Sequence, residues 1–599
     1  MDARTLYVSR REARAAELAR SDAHFRLIGT SRFVCVIVAA VAVGAMVFAH
    51  GPDALWWLAL VALVAFVVLV VLHGRVETRR IRARAAVAYF DHGLARLGGD
   101  WSASRTGEAF AEPDHPYAGD LDIFGRSSLF QRVSVAQTRF GEQTLAAWLK
   151  APAADPETVA ARQQAARELA TMPDFRERLA VLGATLGGGQ DPGALLDWID
   201  KGSAPVPSAG WRVAPFVLPL VVALPPALGP HFGLSATVCA IPYALSVAVA
   251  LVLRGRTAPV LSMVSSNESS LAAYAELFEL IEQAEMKAPM LASIRARLRS
   301  DGLPATREMR SLSTILGFAD ALGNEVFRLL VAPIFGFEPR AVLALESWRV
   351  RNASGVRGWL TALGELEALA SFGCVAFEDP GLCWPEISSA PCFAATALAH
   401  PLIAASKRVP NDVTLPAAGH ALVVTGSNMS GKSTLMRAMG ANAVLALAGA
   451  PTCAASLKLG MLRVATSMRV SDSLADSTSH FYAELKKLKL VLDLAKPGPG
   501  VFFLLDEILH GTNSRERLIG ARAIVRSLLE RGGLGAVSTH DLGLSDLEDE
   551  LPRQVRNVHF QEQIAADVMT FDYSLRPGVV QSSNALRLMT IVGLDIGEV

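Results

Sequence analysis

The chain has 599 residues, 51% of them hydrophobic, with a mean hydropathy of +0.33 and no net formal charge. This length suits about three or four domains, and the composition is too apolar for an ordinary soluble protein, so part of the chain is expected in lipid. Zero net charge excludes a global attraction to nucleic acid and leaves only a local basic face as a means of binding it. Cys35 and Cys239 fall in apolar runs, and Cys374, Cys383 and Cys392 are too widely spaced for a compact zinc knuckle, so reduced thiols are expected.

Residues 1–31 read as a cytoplasmic helical leader carrying Arg10, Arg11, Arg14, Arg20 and Arg26. Two apolar runs follow at 33–49 and 54–72, separated only by His50, Gly51, Pro52 and Asp53. Each approaches the roughly 20 residues that cross a bilayer, which predicts a transmembrane hairpin over 32–73. A signal peptide is the alternative, but the long charged leader and the immediate second span argue against it. Residues 74–210 are predicted helical. A second pair of runs, 213–228 and 234–253, predicts a hairpin over 211–254, although Pro215, Pro219, Pro225 and Pro226 interrupt its first span. Arg75, Arg79, Arg80, Arg82 and Arg84 follow the first hairpin, Lys201, Arg212, Arg254 and Arg256 flank the second, and neither turn carries Lys or Arg. This asymmetry predicts a multi-pass protein of the cytoplasmic membrane, with everything outside the hairpins on the cytoplasmic side. Residues 255–372 are again helical; Arg295, Arg297, Arg299, Arg307 and Arg310 there form either a phosphate-contacting face or a solvated one.

Residues 373–599 read as an α/β domain. An apolar strand at 421–424 leads into Gly426, Ser427, Asn428, Met429, Ser430, Gly431, Lys432 and Ser433, and a helical run begins at Thr434. This is the pattern of a phosphate-binding loop: the glycines let backbone amides curl around phosphates, Lys432 reaches the β- and γ-phosphates, and the Ser433 hydroxyl ligates Mg²⁺. Downstream, the buried-strand pattern at 501–505 ends in Asp506, a metal carboxylate, and Glu507, placed to orient or deprotonate an attacking water. A third apolar run at 534–537 leads to His540, which is either a γ-phosphate sensor or structural. The segment 471–480 precedes a helix at 481–495 and places Ser479 near its N-terminus, while the loop 510–515 contains Asn513; capping and turn formation account for both without a ligand.

T-G-S-N-M-S-G-K-S-T at 425–434, D-E-I-L-H-G-T-N at 506–513 and S-T-H at 538–540 resemble the ATPase domain of the MutS mismatch-repair family. A-H-P-L at 399–402 and N-D-V at 411–413 resemble the segments that line the family's adenine pocket, which implies adenine contacts for Pro401, Leu402 and Asn411. L-R-P-G at 575–578 and V-G-L at 592–594 are similar to the end of that domain, and 122–156 and 359–372 more loosely to its helical core and returning lever. The resemblance implies an ABC-type ATPase using ATP and Mg²⁺, preceded by a helical MutS-core-like region into which the hairpins are inserted. It further implies a homodimer in which Ser479 and Asn513 reach the partner's nucleotide, and double-stranded DNA as a partner in repair. The chain departs from the family in having a membrane hairpin where a mismatch-reading domain is expected, and in Ser427 and Ser430 where proline and glycine are usual. The alternative function is a membrane ATPase that remodels or gates a membrane or protein partner without nucleic acid.

Overall fold

The computed structural model describes the chain apart from residues 1, 50–51, 152, 154, 187–192, 202–216, 218, 226–227, 229–231, 234, 236, 239, 249–267, 301–302, 322–331, 336, 428, 469–479, 496–499, 566–567 and 581–599. A helical N-terminal region is followed by mixed α/β sheets. The first two helices are continuous across the predicted boundaries at 31/32 and 73/74: α1 spans Ala3–Ala49 and α2 Ala54–Leu97. They run antiparallel in one register, with Asp22 opposite Arg80 (2.5 Å) and Arg11 opposite Asp91 (3.0 Å). Their apolar ends expose Phe33, Phe48, Trp57 and Val61, each more than 60% accessible. By length and composition both are able to cross a membrane, and the leader and the segment after residue 73 extend them into a helical stalk about 40 Å long at 1.5 Å per residue. The second predicted hairpin lies largely outside the described residues; helix is described at 219–225 and 240–248, with Leu220, Ile241 and Leu245 exposed.

The stalk rests on a helical core built from α3 (Arg139–Lys150), α4 (Pro156–Ala170), α5 (Pro173–Thr185), α6 (Glu268–Gln283), α7 (Pro289–Arg297), α8 (Ala305–Ala321) and the long α9 (Phe337–Glu378). α9 is also apolar enough to span a bilayer, but 72% of its most apolar stretch is buried inside the protein, and Trp348, Trp359 and Leu363 are fully enclosed, so it is a core helix. Each such side chain contributes about 1.5–3 kcal/mol by leaving water. The predicted boundary at 372/373 falls inside this helix. Of the candidate basic face, Arg297 pairs with both oxygens of Glu365, Arg310 with Glu279 (2.5 Å), and Arg295 donates to the Ala284 carbonyl (2.9 Å).

Beyond α9 come the strands β1 (Glu386–Ser388), β2 (Phe393–Leu398), β3 (Asn411–Leu415), β4 (Ala421–Thr425), β5 (Ser456–Gly460), β6 (Arg463–Ser467), β7 (Val501–Asp506), β8 (Leu534–Thr539), β9 (Val555–His559), β10 (Glu562–Ala565), β11 (Val568–Phe571) and β12 (Arg576–Pro577). Six of them form the main sheet in the order β12-β9-β4-β8-β7-β6, parallel except at the β12 edge. β1, β5, β2 and β3 form a smaller sheet beside it. Side chains alternate between the faces of the main sheet. Leu422, Val424, Phe502 and Leu504 meet helix α10 (Lys432–Ala448), whereas Val423, Val501, Phe503 and Leu505 meet α11 (His480–Leu494) and α12 (Ser514–Glu530). Helices on both faces explain why these strands read as unbroken apolar runs.

Candidate functional site

The strand order puts the three predicted motifs side by side. β4 is flanked by β8 and β8 by β7, with Thr425 opposite Thr539 and Ser538 opposite Asp506. The glycine-rich loop, His540 and the Asp506-Glu507 pair therefore leave adjacent parallel strands at the same edge, where the N-terminus of α10 begins at Lys432. Gly426 (φ 146°) and Gly431 (φ 113°) take conformations that side chains disfavour, and a Cβ on Gly426 would lie 2.8 Å from the Phe560 carbonyl oxygen. Backbone amides exposed by this curl, at a helix N-terminus, suit an anion.

Lys432 is almost fully buried and donates to the carbonyls of Gly426 and Ser427, both at 2.9 Å, with Glu507 Oε1 3.6 Å away. Burial lowers its pKa, while Glu507 and Asp506 oppose that shift. Glu507 is held at about 2, chiefly by its hydrogen bond from His540, with Lys432 and His510 adding to the effect. Its Oε1 pairs with His540 Nε2 and its Oε2 lies 3.0 Å from His510 Nε2. The backbone of Glu507 sits at φ 50° and its amide donates to the Ser538 carbonyl (3.2 Å), which aims the carboxylate into the space shared with His540. Asp506 accepts a hydrogen bond from the Ser538 hydroxyl. Ser433 is half-buried and Thr434 exposed on the first turn of α10. The hard oxygens of Ser433 and Asp506 suit Mg²⁺ better than a softer metal, and the buried, unpartnered Ser430 hydroxyl in the loop is a donor suited to a phosphate oxygen. Ser427 donates to Glu562 (2.7 Å), a tie that a proline at this position does not make.

Beside the loop opens a cavity of about 320 Å³ lined by His400, Ile403, Arg408, Asn411, Phe560 and Tyr573, among others, with the 85%-exposed Met429 at its lip. Asn411 holds the Tyr573 segment by donating to the Tyr573 carbonyl (3.0 Å) and accepting from the Leu575 amide (2.7 Å). Pro401 is buried and Leu402 packs on the core; neither is among the residues lining the cavity, which their neighbours His400 and Ile403 do line. Burial lowers the pKa of His400 to about 4, so its ring is neutral. Phe560 and Glu562 carry no motif in the sequence; register alone delivers them, since His559 lies opposite Thr425 and the Phe560 amide donates to the Thr425 carbonyl (3.0 Å). Asn513 is the N-cap of α12, accepting from the Glu516 amide at 2.9 Å. Asn428 and Ser479 lie outside the described residues.

Residues 422–596 match the family description MutS domain V. The DNA mismatch repair protein MutS of Natronomonas pharaonis is 34% identical over 237 residues, covering 39% of this chain and 27% of that protein. The MutS of Myxococcus xanthus is 32% identical over 266 residues, covering 43% and 29%, and the mismatch repair protein msh3 of Emericella nidulans is 31% identical, covering 43% and 24%. The matched part thus spans less than a third of the length of these curated relatives. With loop, carboxylates and histidine in the order and register described, the C-terminal α/β domain of this chain is a MutS-family domain V.

Proposed function

We propose that this protein is a membrane-anchored, ABC-type ATPase of the MutS family. The observation that carries the reading is the convergence of Lys432, Glu507 and His540 at the ends of three neighbouring parallel strands. Loop amides and Lys432 hold the phosphates of ATP, the cavity beside them takes the base, and Ser433 with Asp506 holds Mg²⁺, which supplies charge neutralisation when bound. Glu507, ionised and steered by His540, takes the proton of the attacking water. A homodimer of these domains completes each site, with Ser479 and Asn513 facing the partner's nucleotide. The hairpin over 32–73, and the second over 211–254, place the ATPase domain at the cytoplasmic face of the membrane.

Double-stranded DNA is the proposed working partner, because the relatives matched are mismatch repair proteins. A second reading, a membrane ATPase acting on a protein or lipid partner, is favoured by the internal pairing of Arg297 and Arg310. ATP hydrolysis by the detergent-solubilised protein, with and without duplex, mismatched and branched DNA at two salt concentrations, separates them. Stimulation by one DNA structure that weakens steeply with salt supports the first reading. Unchanged turnover, abolished in Lys432→Ala, supports the second. No turnover at all refutes the ATPase reading.

A further inference from the structure

The C-terminal end of α2 reaches the base cavity by two routes. Just beyond its C-cap Gly98, Gly99 (φ 85°) lies against the loop that lines the cavity: a Cβ there would come within 3.1 Å of the Ala404 Cβ, next to Ile403. One turn earlier, Arg96 makes a bidentate pair with Glu378 (2.6 and 3.0 Å), with both side chains less than 10% exposed. Tyr7 of α1 donates to the same carboxylate (3.2 Å), so both stalk helices end on it. Glu378 is the last residue of α9. The next residue, Asp379, accepts from Arg408 Nη1 (3.0 Å), and Arg408 Nε in turn donates to the Ile403 carbonyl (2.8 Å). Arg132, 3.5 Å from Asp379, lies over the Trp101 ring and ties the segment after α2 to the same anchor. Stalk, α9 and base loop are thus joined by directional bonds that run from the buried Arg96–Glu378 pair to the partly buried Asp379–Arg408 pair, the kind of contiguous network through which displacement at one end is felt at the other.

We propose that the membrane stalk regulates the nucleotide site: the seating of Arg96 and Gly99 holds the 400–408 loop in its ATP-binding form, and ATP in turn holds the stalk. The inference rests on the nucleotide-site reading above. Coupling of binding free energies is reciprocal, so each half is measurable from the other end. A signal that shifts the hairpin in the bilayer then alters ATP affinity without touching the residues that perform hydrolysis.

The test uses the full chain in lipid nanodiscs, with ATP binding followed by calorimetry and hydrogen exchange read at amides 90–99. The variant Arg96→Met/Glu378→Leu removes both charges together, so neither is left buried alone. Its Kd for ATP is expected to rise 5- to 20-fold, with turnover at saturating ATP within twofold of the wild type. Saturating ATP is expected to slow exchange at 90–99 in the wild type and not in Lys432→Ala. A folded double variant whose Kd moves less than twofold overturns the coupling, as does exchange indifferent to ATP. Should the double variant fail to fold, Ala404→Gly, which removes only the methyl seated on Gly99, is expected to raise Kd two- to fivefold, and an unchanged Kd overturns the proposal. A wild-type protein that binds no ATP instead overturns the nucleotide-site reading itself.

Discussion

Replacing Glu507 by glutamine separates binding from chemistry at this site. The carboxylate is shared by His540, His510 and Lys432, so it is the point on which three polar side chains converge. Glutamine keeps the shape and one acceptor oxygen but has no basic site for a proton. A positioned general base accounts for about 10²–10⁴ in rate, or roughly 3–5.5 kcal/mol of barrier. Glu507→Gln is therefore expected to lower kcat at least 100-fold while the Kd for ATP changes by less than about fivefold, since the loop amides are untouched and Lys432 keeps its hydrogen bonds to the Gly426 and Ser427 carbonyls. Because the Glu507 pKa is depressed to about 2, the carboxylate is ionised throughout the working range, and wild-type kcat should show no acid limb from its titration above pH 4. The assay is steady-state phosphate release paired with equilibrium binding in detergent, and size exclusion with ATP to detect a trapped dimer. Turnover in Glu507→Gln within fivefold of the wild type would remove Glu507 from the role of base and refute the reasoning.

Lys432→Ala deletes the ammonium from the loop and is expected to weaken ATP binding at least 100-fold, read by the same calorimetry; unchanged binding would mean that nucleotide sits elsewhere. Tyr573→Ala removes an aromatic face of the base cavity, and since base–aromatic stacking contributes about 1–3 kcal/mol, ATP affinity should fall about 5- to 150-fold with kcat preserved. Glu367, fully buried on α9 and accepting from the Gln137 amide (3.0 Å) and the Thr138 hydroxyl, is raised from 4.5 to about 7, chiefly by burial. A carboxyl whose folded pKa exceeds its unfolded one favours folding while it is protonated, so this contribution is present below pH 4.5 and is lost as pH rises through about 7, by roughly 3 kcal/mol at 1.36 kcal/mol per unit. Thermal unfolding should accordingly show Glu367→Gln gaining on the wild type between pH 5 and 8; a constant difference across that range would contradict the burial argument. Arg297→Ala with Arg310→Ala should leave any DNA stimulation within twofold, because both guanidinium groups are already committed to carboxylates, and a large loss would show that these pairs open for phosphate.

The sequence alone was sufficient wherever the chemistry depends on neighbours along the chain. The loop from Gly426 to Ser433, the carboxylates ending β7 and the histidine after β8 are local patterns, and a buried parallel strand advertises itself as an apolar run because helices cover both its faces. The two long N-terminal helices were equally legible, as two apolar lengths with charged flanks. Apolarity does not say what surrounds it, however. α9 has the same length and composition as a span, and only its packing against the helical core assigns it to the protein interior. Pairing across long separations was likewise invisible: Arg96 and Glu378 stand 282 residues apart, and Arg297 gives no sign of Glu365. The cavity beside the loop drew Phe560 through strand register and Tyr573 through its bond to Asn411, and neither Phe560 nor Tyr573 has a local signature. Local pattern determines which element forms, because backbone geometry sets its period. Which charges meet, and which apolar face finds protein rather than lipid, is decided by the register and packing of elements distant in the chain, and these exist only once the tertiary structure is formed.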